Sequence, residues 1–324
     1  MRTRLIFSSS NPVPSKHRPS TQLGVSRESR HKAVLLHEAV DALDVGIDDI
    51  VVDATLGAAG HAKAITQNLG REGLFIGFDL DSDAVNRAEV ALAGVRCKRF
   101  LINANFRDLK NELEKREISR IDKALFDLGW SSDQLDAGRG FSFLKDEPLT
   151  MTYRTSTDGA QLTAATIVNE WSEESLADII YGWGEERYSR RIAKAIIFRR
   201  SEKPFTTSSE LATVIQEATP LEYRRRRIHP ATKTFQALRI AVNDELGALD
   251  QGLRAAWEML APGGRIAVIT FHSIEDKLVK RLFLEFEKSA GGYRVNKKPI
   301  VATHEETQDN PRARSAKLRV IQKI

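Results

Sequence analysis

The sequence predicts an α/β protein, a Rossmann-like doubly wound sheet interrupted by an all-helical insertion. Three observations carry this. Short apolar runs alternate with helical spacing from His31 to Asp127. Two of those runs end in a carboxylate, at Asp53 and Asp79, with a small-residue turn between them. After Asp127 the alternation stops, and residues 138–228 carry helical patterns alone. Alternating strands and helices build parallel sheets covered by helices on both faces.

Residues 1–30 are rich in Ser, Pro and Arg, lack periodicity and read as a disordered basic tail. Their scarcity of acids also fits an organellar transit peptide, or a plain basic extension. The 324-residue chain has a net charge of +5. Residues 1–32 hold seven Lys/Arg against Glu28 alone, leaving 42 basic and 43 acidic residues in the remainder. A nucleic-acid surface on the folded part must therefore come from local clustering.

The first strand is expected at 50–54, apolar and too short for a helix. Thr55–Gly60 is a small-residue turn, and 58–69 follows with helical spacing. Further strands are expected at 74–79, 98–103 and 121–127, with helices at 82–92 and 106–116. In the insertion the clearest helical patterns are 173–182, 185–200 and 208–218. Thr232–Leu260 reads as one or two helices, and Arg265–Phe271 as a strand after the Pro262-Gly263-Gly264 turn. Tyr293–Val295 and Ala316–Ile321 are spaced to pair as a terminal hairpin. The expected organisation is a tail (1–30), a sheet domain in two parts (31–137 and 229–324) and a helical insertion (138–228).

Several classes are excluded. No apolar stretch approaches the ~20 residues of a membrane span. A single cysteine, Cys97, permits no internal disulfide and fits a reducing compartment. No Cys/His cluster has zinc-ligand spacing, so no metal is expected. A Ser–His hydrolase lacks its G-x-S-x-G elbow.

The strand–turn–helix–strand–acid unit at 50–79 is the arrangement that holds a nucleoside-bearing ligand. Gly57 and Gly60 let the backbone approach it, and Asp79 can accept hydrogen bonds from both ribose hydroxyls. A dinucleotide site wants G-x-G-x-x-G to seat a pyrophosphate. Gly57-Ala-Ala-Gly60 is looser and favours a ligand without phosphates, such as S-adenosylmethionine, over a dinucleotide.

Asp127-Leu-Gly-Trp-Ser-Ser-Asp-Gln-Leu-Asp136 follows the fourth strand, which sets Asp127 beside the cofactor crevice. An acid here suits transfer to an exocyclic amino group, a poor nucleophile that needs orientation. The plainer alternative is a strand-ending helix cap. Trp130 reads equally as a base-stacking or a packing residue. Phe271-His-Ser-Ile-Glu-Asp276 brings His272 toward the crevice and puts two acids at a helix start. His272 reads as a structural or RNA-contacting residue in preference to a base. Three basic segments, Arg187–Arg200, Arg224–Arg227 and Arg312–Lys317, suggest a phosphate-binding surface.

Together these motifs resemble the bacterial and organellar small-subunit (16S-type) ribosomal RNA cytosine-N4 methyltransferases, the RsmH (formerly MraW) family. The resemblance covers nearly everything from His31 onward. It is carried by Asp53-Ala-Thr-Leu-Gly-Ala-Ala-Gly-His61, Asp127–Asp136, Arg139-Gly-Phe-Ser-Phe143, Tyr181–Arg187, Ala231–Arg239, Phe271–Asp276 and Asn310-Pro-Arg-Ala-Arg-Ser315. It implies a Rossmann-like class I S-adenosylmethionine-dependent methyltransferase with an inserted substrate-recognition domain. The implied target is a cytosine near the decoding centre of the small ribosomal subunit, in the cytoplasm, or in an organellar matrix if residues 1–30 are a transit peptide. The implied cofactor contacts are Ala59, Gly60, His61, Asp79, Phe106, Asp127 and Gln134, with Asp127 also the catalytic candidate.

Two departures from the family pattern stand out. Ala59 falls where the family usually has glycine, a mild change if the backbone keeps a negative φ. In Pro148-Leu-Thr-Met-Thr-Tyr153, Thr150 and Thr152 replace an acid and an arginine. That pair is the support for a rival reading, a ribosome-assembly factor that keeps the fold without turnover.

Overall fold

The structure, a computed structural model, describes residues 32–129, 138–154, 162–289 and 291–324. The chain divides into two units, Met1–Arg30 and His31–Ile324. The first lies outside the described residues, as do Trp130 and Gln134.

Among the described residues the second unit holds one seven-stranded sheet. Its strands are β1 (Ile50–Asp53), β2 (Leu74–Asp79), β3 (Lys98–Asn103), β4 (Ile121–Asp127), β5 (Leu260–Thr270), β6 (Gly292–Arg294) and β7 (Lys317–Lys323). Their order is β3-β2-β1-β4-β5-β7-β6. The first five are parallel, and β7 runs antiparallel between β5 and β6. This α/β architecture is the predicted fold class.

Period-two packing explains the apolar runs. Val51 and Phe75 pack on one face with Leu56, Ile65 and Leu318, while Val52 and Ile76 pack on the other with Phe126, Leu253 and Phe283. Both faces are covered, so neither needs polar residues. Strand order reverses between β1 and β4, which opens the ligand crevice over the carboxyl ends of β1, β2 and β4.

Around the sheet lie α1 (Leu36–Leu43), α2 (Gly60–Asn68), α3 (Ser82–Ala91) and α4 (Leu109–Glu114), the last preceded by a 3-10 turn at Phe106–Asp108. Between β4 and β5 come α5 (Ala164–Glu170), α6 (Glu173–Gly182), α7 (Ser189–Glu202), α8 (Ser208–Ala218), α9 (Leu221–Arg224), α10 (Ala231–Asn243) and α11 (Glu245–Met259). Side chains start several of them: Thr163 and Ser172 cap α5 and α6, and Thr207 with Glu210 forms a capping box on α8. This layer has its own core, including Ile167, Leu176, Ile192 and Leu211, and it takes in Phe235 and Leu238 of α10. The chain closes with α12 (Ser273–Ser289), α13 (His304–Asp309) and β7.

Some boundaries differ from expectation. The 232–260 run splits into two helices at Asp244, whose φ of 46° is left-handed. The helix expected from 185 starts at Ser189, because Glu185 adopts a φ of 50°. β5 begins at Leu260, and its register against β4 shifts between Ile121 and Lys123. The terminal pairing holds, with Tyr293 opposite Gln322, but α13 in the connection was not anticipated. No helix among the described residues is long and apolar enough to cross a membrane.

Candidate active site

Three carboxylates converge over the crevice, each delivered by the end of a strand. Asp53 ends β1 and is buried. Its Oδ1 accepts from the Thr55 N–H (3.0 Å), while Oδ2 has no hydrogen-bond partner. Burial pushes its carboxyl well above the usual range, and the charges of Asp127 and Asp79 push the same way. Thr55 ties β1 to β4, its Oγ1 accepting from the Asp127 N–H at 2.8 Å.

Asp79 ends β2. Its Oδ2 accepts from Gly57 N–H and its Oδ1 from Asp81 N–H, both at 2.9 Å. The carboxylate thus holds the glycine turn in place, and burial raises its pKa. Gly57 itself has a φ of 49°.

A first cavity is lined by Ala54, Thr55, Gly57 and Asp79 on one side and by Leu80, Asn105, Phe106 and Leu249 on the other. Phe106 meets Phe126 edge to face at 5.6 Å. Asp127, Tyr153, Asn243, Glu245 and Glu275 close its far end. A second cavity adjoins it, sharing Asp127, Leu128, Gly129 and Glu275. Its walls are aromatic: Phe141, Phe143, Phe235 and Phe271, with Gln236, Arg239, His272 and Arg312 as the polar complement. Phe143 stacks on His229 at 4.6 Å and meets Phe235 edge to face. Such a slot suits a flat heteroaromatic ring.

Of the residues expected at the site, Asp79, Phe106 and Asp127 line the first cavity, and Asp127 lines both. Ala59, Gly60 and His61 line neither cavity; they form the start of α2, with Ala59 and His61 buried and Gly60 half-buried. A Cβ on Gly60 would lie 2.8 Å from that of Ala33, so only glycine fits there without a shift. Ala59 corrects an expectation. Its φ is 61°, not negative, so alanine occupies a left-handed position that glycine would fill without strain. Gln134 lies outside the described residues.

Thr150 donates to the Arg139 carbonyl at 2.9 Å, and neither Thr150 nor Thr152 lines a cavity. Both cavities are therefore walled without the two departing residues.

Sequence reasoning set His272 at the crevice and Glu275 at the helix start beside it, but missed that Arg239, Glu245 and Tyr153 join them in a charged wall between the cavities. Arg239 is bound by both oxygens of Glu245 (2.8 and 3.0 Å) and approaches His272 Nε2 at 3.5 Å. The Tyr153 hydroxyl donates to Glu245 Oε1 at 2.8 Å. Glu275 Oε2 accepts from the N–H groups of Phe271 and His272, while its Oε1 lies 3.0 Å from His272 Nε2. Glu245, His272 and Glu275 bring potential metal-ligating atoms together. The cation present among them is the Arg239 guanidinium, whose charge burial opposes and Glu245 more than restores. The available signal was Asn243-Asp-Glu245, a polar break inside an apolar helical run.

Comparison with known proteins follows the same outline. A family model described as the MraW methylase family matches residues 28–324. Ribosomal RNA small subunit methyltransferase H of Clostridioides difficile is 41% identical over 313 residues, covering 92% of this chain and all of the relative. The protein of the same name from Brevibacillus brevis is 44% identical over 310 residues, covering 91% of this chain and 98% of its own. Among solved structures, an rRNA methylase from Streptococcus thermophilus aligns over 90% of this chain and 98% of its own at 12% identity and a TM-score of 0.41, too loose a likeness to carry an argument.

Proposed function

Because the chain belongs to the MraW methylase family, we propose that it methylates the N4 amino group of a cytosine in small-subunit ribosomal RNA with S-adenosylmethionine. The observation that carries this is the pair of adjoining cavities meeting at Asp127. The first suits the methyl donor. Asp79 would hold the ribose, Phe106 and Leu249 would flank the adenine, and a cationic ligand would favour the charged form of Asp53, whose Oδ2 has no partner. The bound cofactor supplies a methyl group on a positively charged sulfur.

The second cavity takes the cytosine, unstacked from its strand between Phe143, Phe235 and Phe271. Asp127, at the boundary, accepts a hydrogen bond from the exocyclic amino group and fixes its direction. Orientation is the main help a protein can give to so weak a nucleophile. The aromatic walls exclude water from the same point. The helical layer that supplies Phe235 serves as the substrate-recognition part. A ribosomal RNA substrate fits the cytoplasm, or an organellar matrix if residues 1–30 are a transit peptide.

Mass-spectrometric mapping of small-subunit rRNA from cells with and without this gene tests the proposal. One N4-methylcytosine should disappear with the gene and return with the wild-type chain. An unchanged methylation map overturns the reading.

A further inference from the structure

The basic segments at 187–191 and 224–227 are far apart in the sequence, yet the fold joins them. The Tyr188 and Tyr223 rings meet edge to face at 5.0 Å. Buried Glu186 locks the junction: its Oε2 accepts from the Tyr223 hydroxyl (2.5 Å) and its Oε1 from the Tyr188 N–H (2.8 Å). Burial and then Glu186 push the Tyr223 hydroxyl up to about 12, so it remains a donor. The Arg187 guanidinium lies 4.6 Å from the Tyr188 ring and 5.4 Å from the Tyr223 ring, and Arg226 lies 5.1 Å from the latter.

The arginines divide into two sets. Arg224 gives its guanidinium to the carbonyls of Thr219 and Glu217, and Arg200 to those of Val168 and Trp171. These two hold the fold. Arg190, Arg191, Arg225, Arg226 and Arg227 are exposed and make no ion pair among the described residues. The exposed ring of Tyr181 lies in the groove beside Arg190 and Arg191, where Asp178 is the one acid in the lining.

This face is also fixed to the second cavity. The Trp183 carbonyl accepts from Gln236 Nε2 (2.9 Å), and Gln236 lines that cavity. Glu185 accepts from Ser273 Oγ at 2.5 Å and pairs with Lys277 at the start of α12.

We infer that this joined Arg–Tyr face grips the phosphate backbone of the ribosomal RNA on the side of the insertion, away from the reacting nucleotide. The inference rests on the proposed rRNA substrate. Charge decides for RNA: the free guanidiniums match phosphates, and the folded part as a whole carries no net positive charge to attract them otherwise.

The test uses the full chain, its Arg190→Gln/Arg191→Gln/Arg225→Gln/Arg227→Gln variant, and two probes: protein-free small-subunit rRNA and undermethylated small subunits. Affinity for both should fall tenfold or more at moderate salt. The slope of log affinity against log salt should flatten by roughly one unit per lost phosphate contact. S-adenosylmethionine affinity and melting temperature should stay at wild-type values, whereas Arg224→Gln should lower the melting temperature. An unchanged affinity and salt slope overturns the inference. So does weakening on subunits alone, which assigns the face to an acidic ribosomal protein. A wild-type chain that binds rRNA through this face but never methylates it overturns the proposed function instead.

Discussion

His61 Nδ1 lies 3.4 Å from Asp127 Oδ2, beneath the floor shared by the two cavities. The other ring nitrogen, Nε2, is 3.1 Å from the Val34 carbonyl and so carries a hydrogen. Burial lowers the ring's pKa to about 4, so it is neutral at working pH. Its Nδ1 is then an acceptor facing another acceptor, so the ring constrains the Asp127 carboxylate by fit and repulsion and not by a hydrogen bond. His61 lines neither cavity, which makes it a positioning residue acting through Asp127. His61→Asn should lower the single-turnover methylation rate about tenfold, worth ~1.4 kcal/mol in the barrier. Cofactor affinity should change less than twofold. A variant with weakened cofactor binding and a normal saturated rate would return His61 to the direct contact that the family resemblance implies.

Asp127 invites the complementary experiment. Asp127→Ala should reduce the single-turnover rate more than it weakens RNA binding, because the residue orients the amino group and does not grip the strand. Rapid-quench methylation alongside an RNA-binding titration separates the two. Normal turnover at saturating cofactor would leave Asp127 a structural role, through contacts that include its N–H bond to Thr55 and its turn to Gly129.

Asp79 has a double role that the sequence did not reveal. Besides facing the ribose, it accepts from Gly57 and Asp81. Asp79→Ala should weaken S-adenosylmethionine binding by about 1.5–3 kcal/mol, the range for hydrogen bonds to a charged group. It should also lower the melting temperature of the cofactor-free protein, since two N–H groups lose their acceptor. Calorimetric titration and thermal melts check both, and unchanged affinity would sink the ribose assignment.

The three strand-end acids were legible because buried parallel strands leave uninterrupted apolar runs, which make a terminal carboxylate conspicuous. Tyr153 and Glu245 were not legible. Tyr153 reaches the cavity through a loop turned by Met151 at a φ of 55°, and Glu245 follows the left-handed Asp244. Neither conformation belongs to glycine here, so no composition signal marked them. The basic segments were visible as charge. Which arginines are committed to carbonyls, as Arg200 and Arg224 are, depends on tertiary contacts that charge counting cannot see.

Asp53 and His61 give stability opposite pH dependences. A carboxyl whose folded pKa is raised favours the fold below its unfolded value of 3.8, and that advantage is lost as pH rises through the folded pKa. Above that range the burial of Asp53 works against the cofactor-free fold. Asp53→Asn should stabilise it there by about 1 kcal/mol, half or less of a buried charge's penalty, since Asn also leaves an N–H unpaired. The gain should vanish near pH 4. For His61 the lowered pKa means stability is full above 6.5 and lost between 6.5 and about 4. A cationic ligand should draw the proton off Asp53, so S-adenosylmethionine affinity should climb with pH and the slope should shrink in Asp53→Asn. Denaturant melts and calorimetry in buffers of different ionisation enthalpy read both effects, and a pH-independent affinity would refute the coupling.

Ala59 offers a stabilising substitution at the same site. Its φ of 61° puts Cβ against the following carbonyl, at about 1–2 kcal/mol. Ala59→Gly removes that strain. Against it stands the extra freedom of glycine in the unfolded chain, about 0.4–1 kcal/mol. The residue is buried, so the lost methyl also leaves a small void. Strain relief should still prevail, raising stability by up to about 1 kcal/mol by denaturant titration. Because Ala59 lines neither cavity, cofactor affinity should move only if the turn from Gly57 to Gly60 tightens around Asp79. A destabilised Ala59→Gly protein would mean that the methyl's packing outweighs the backbone strain, and that the alanine is a stabilising residue and not a tolerated one.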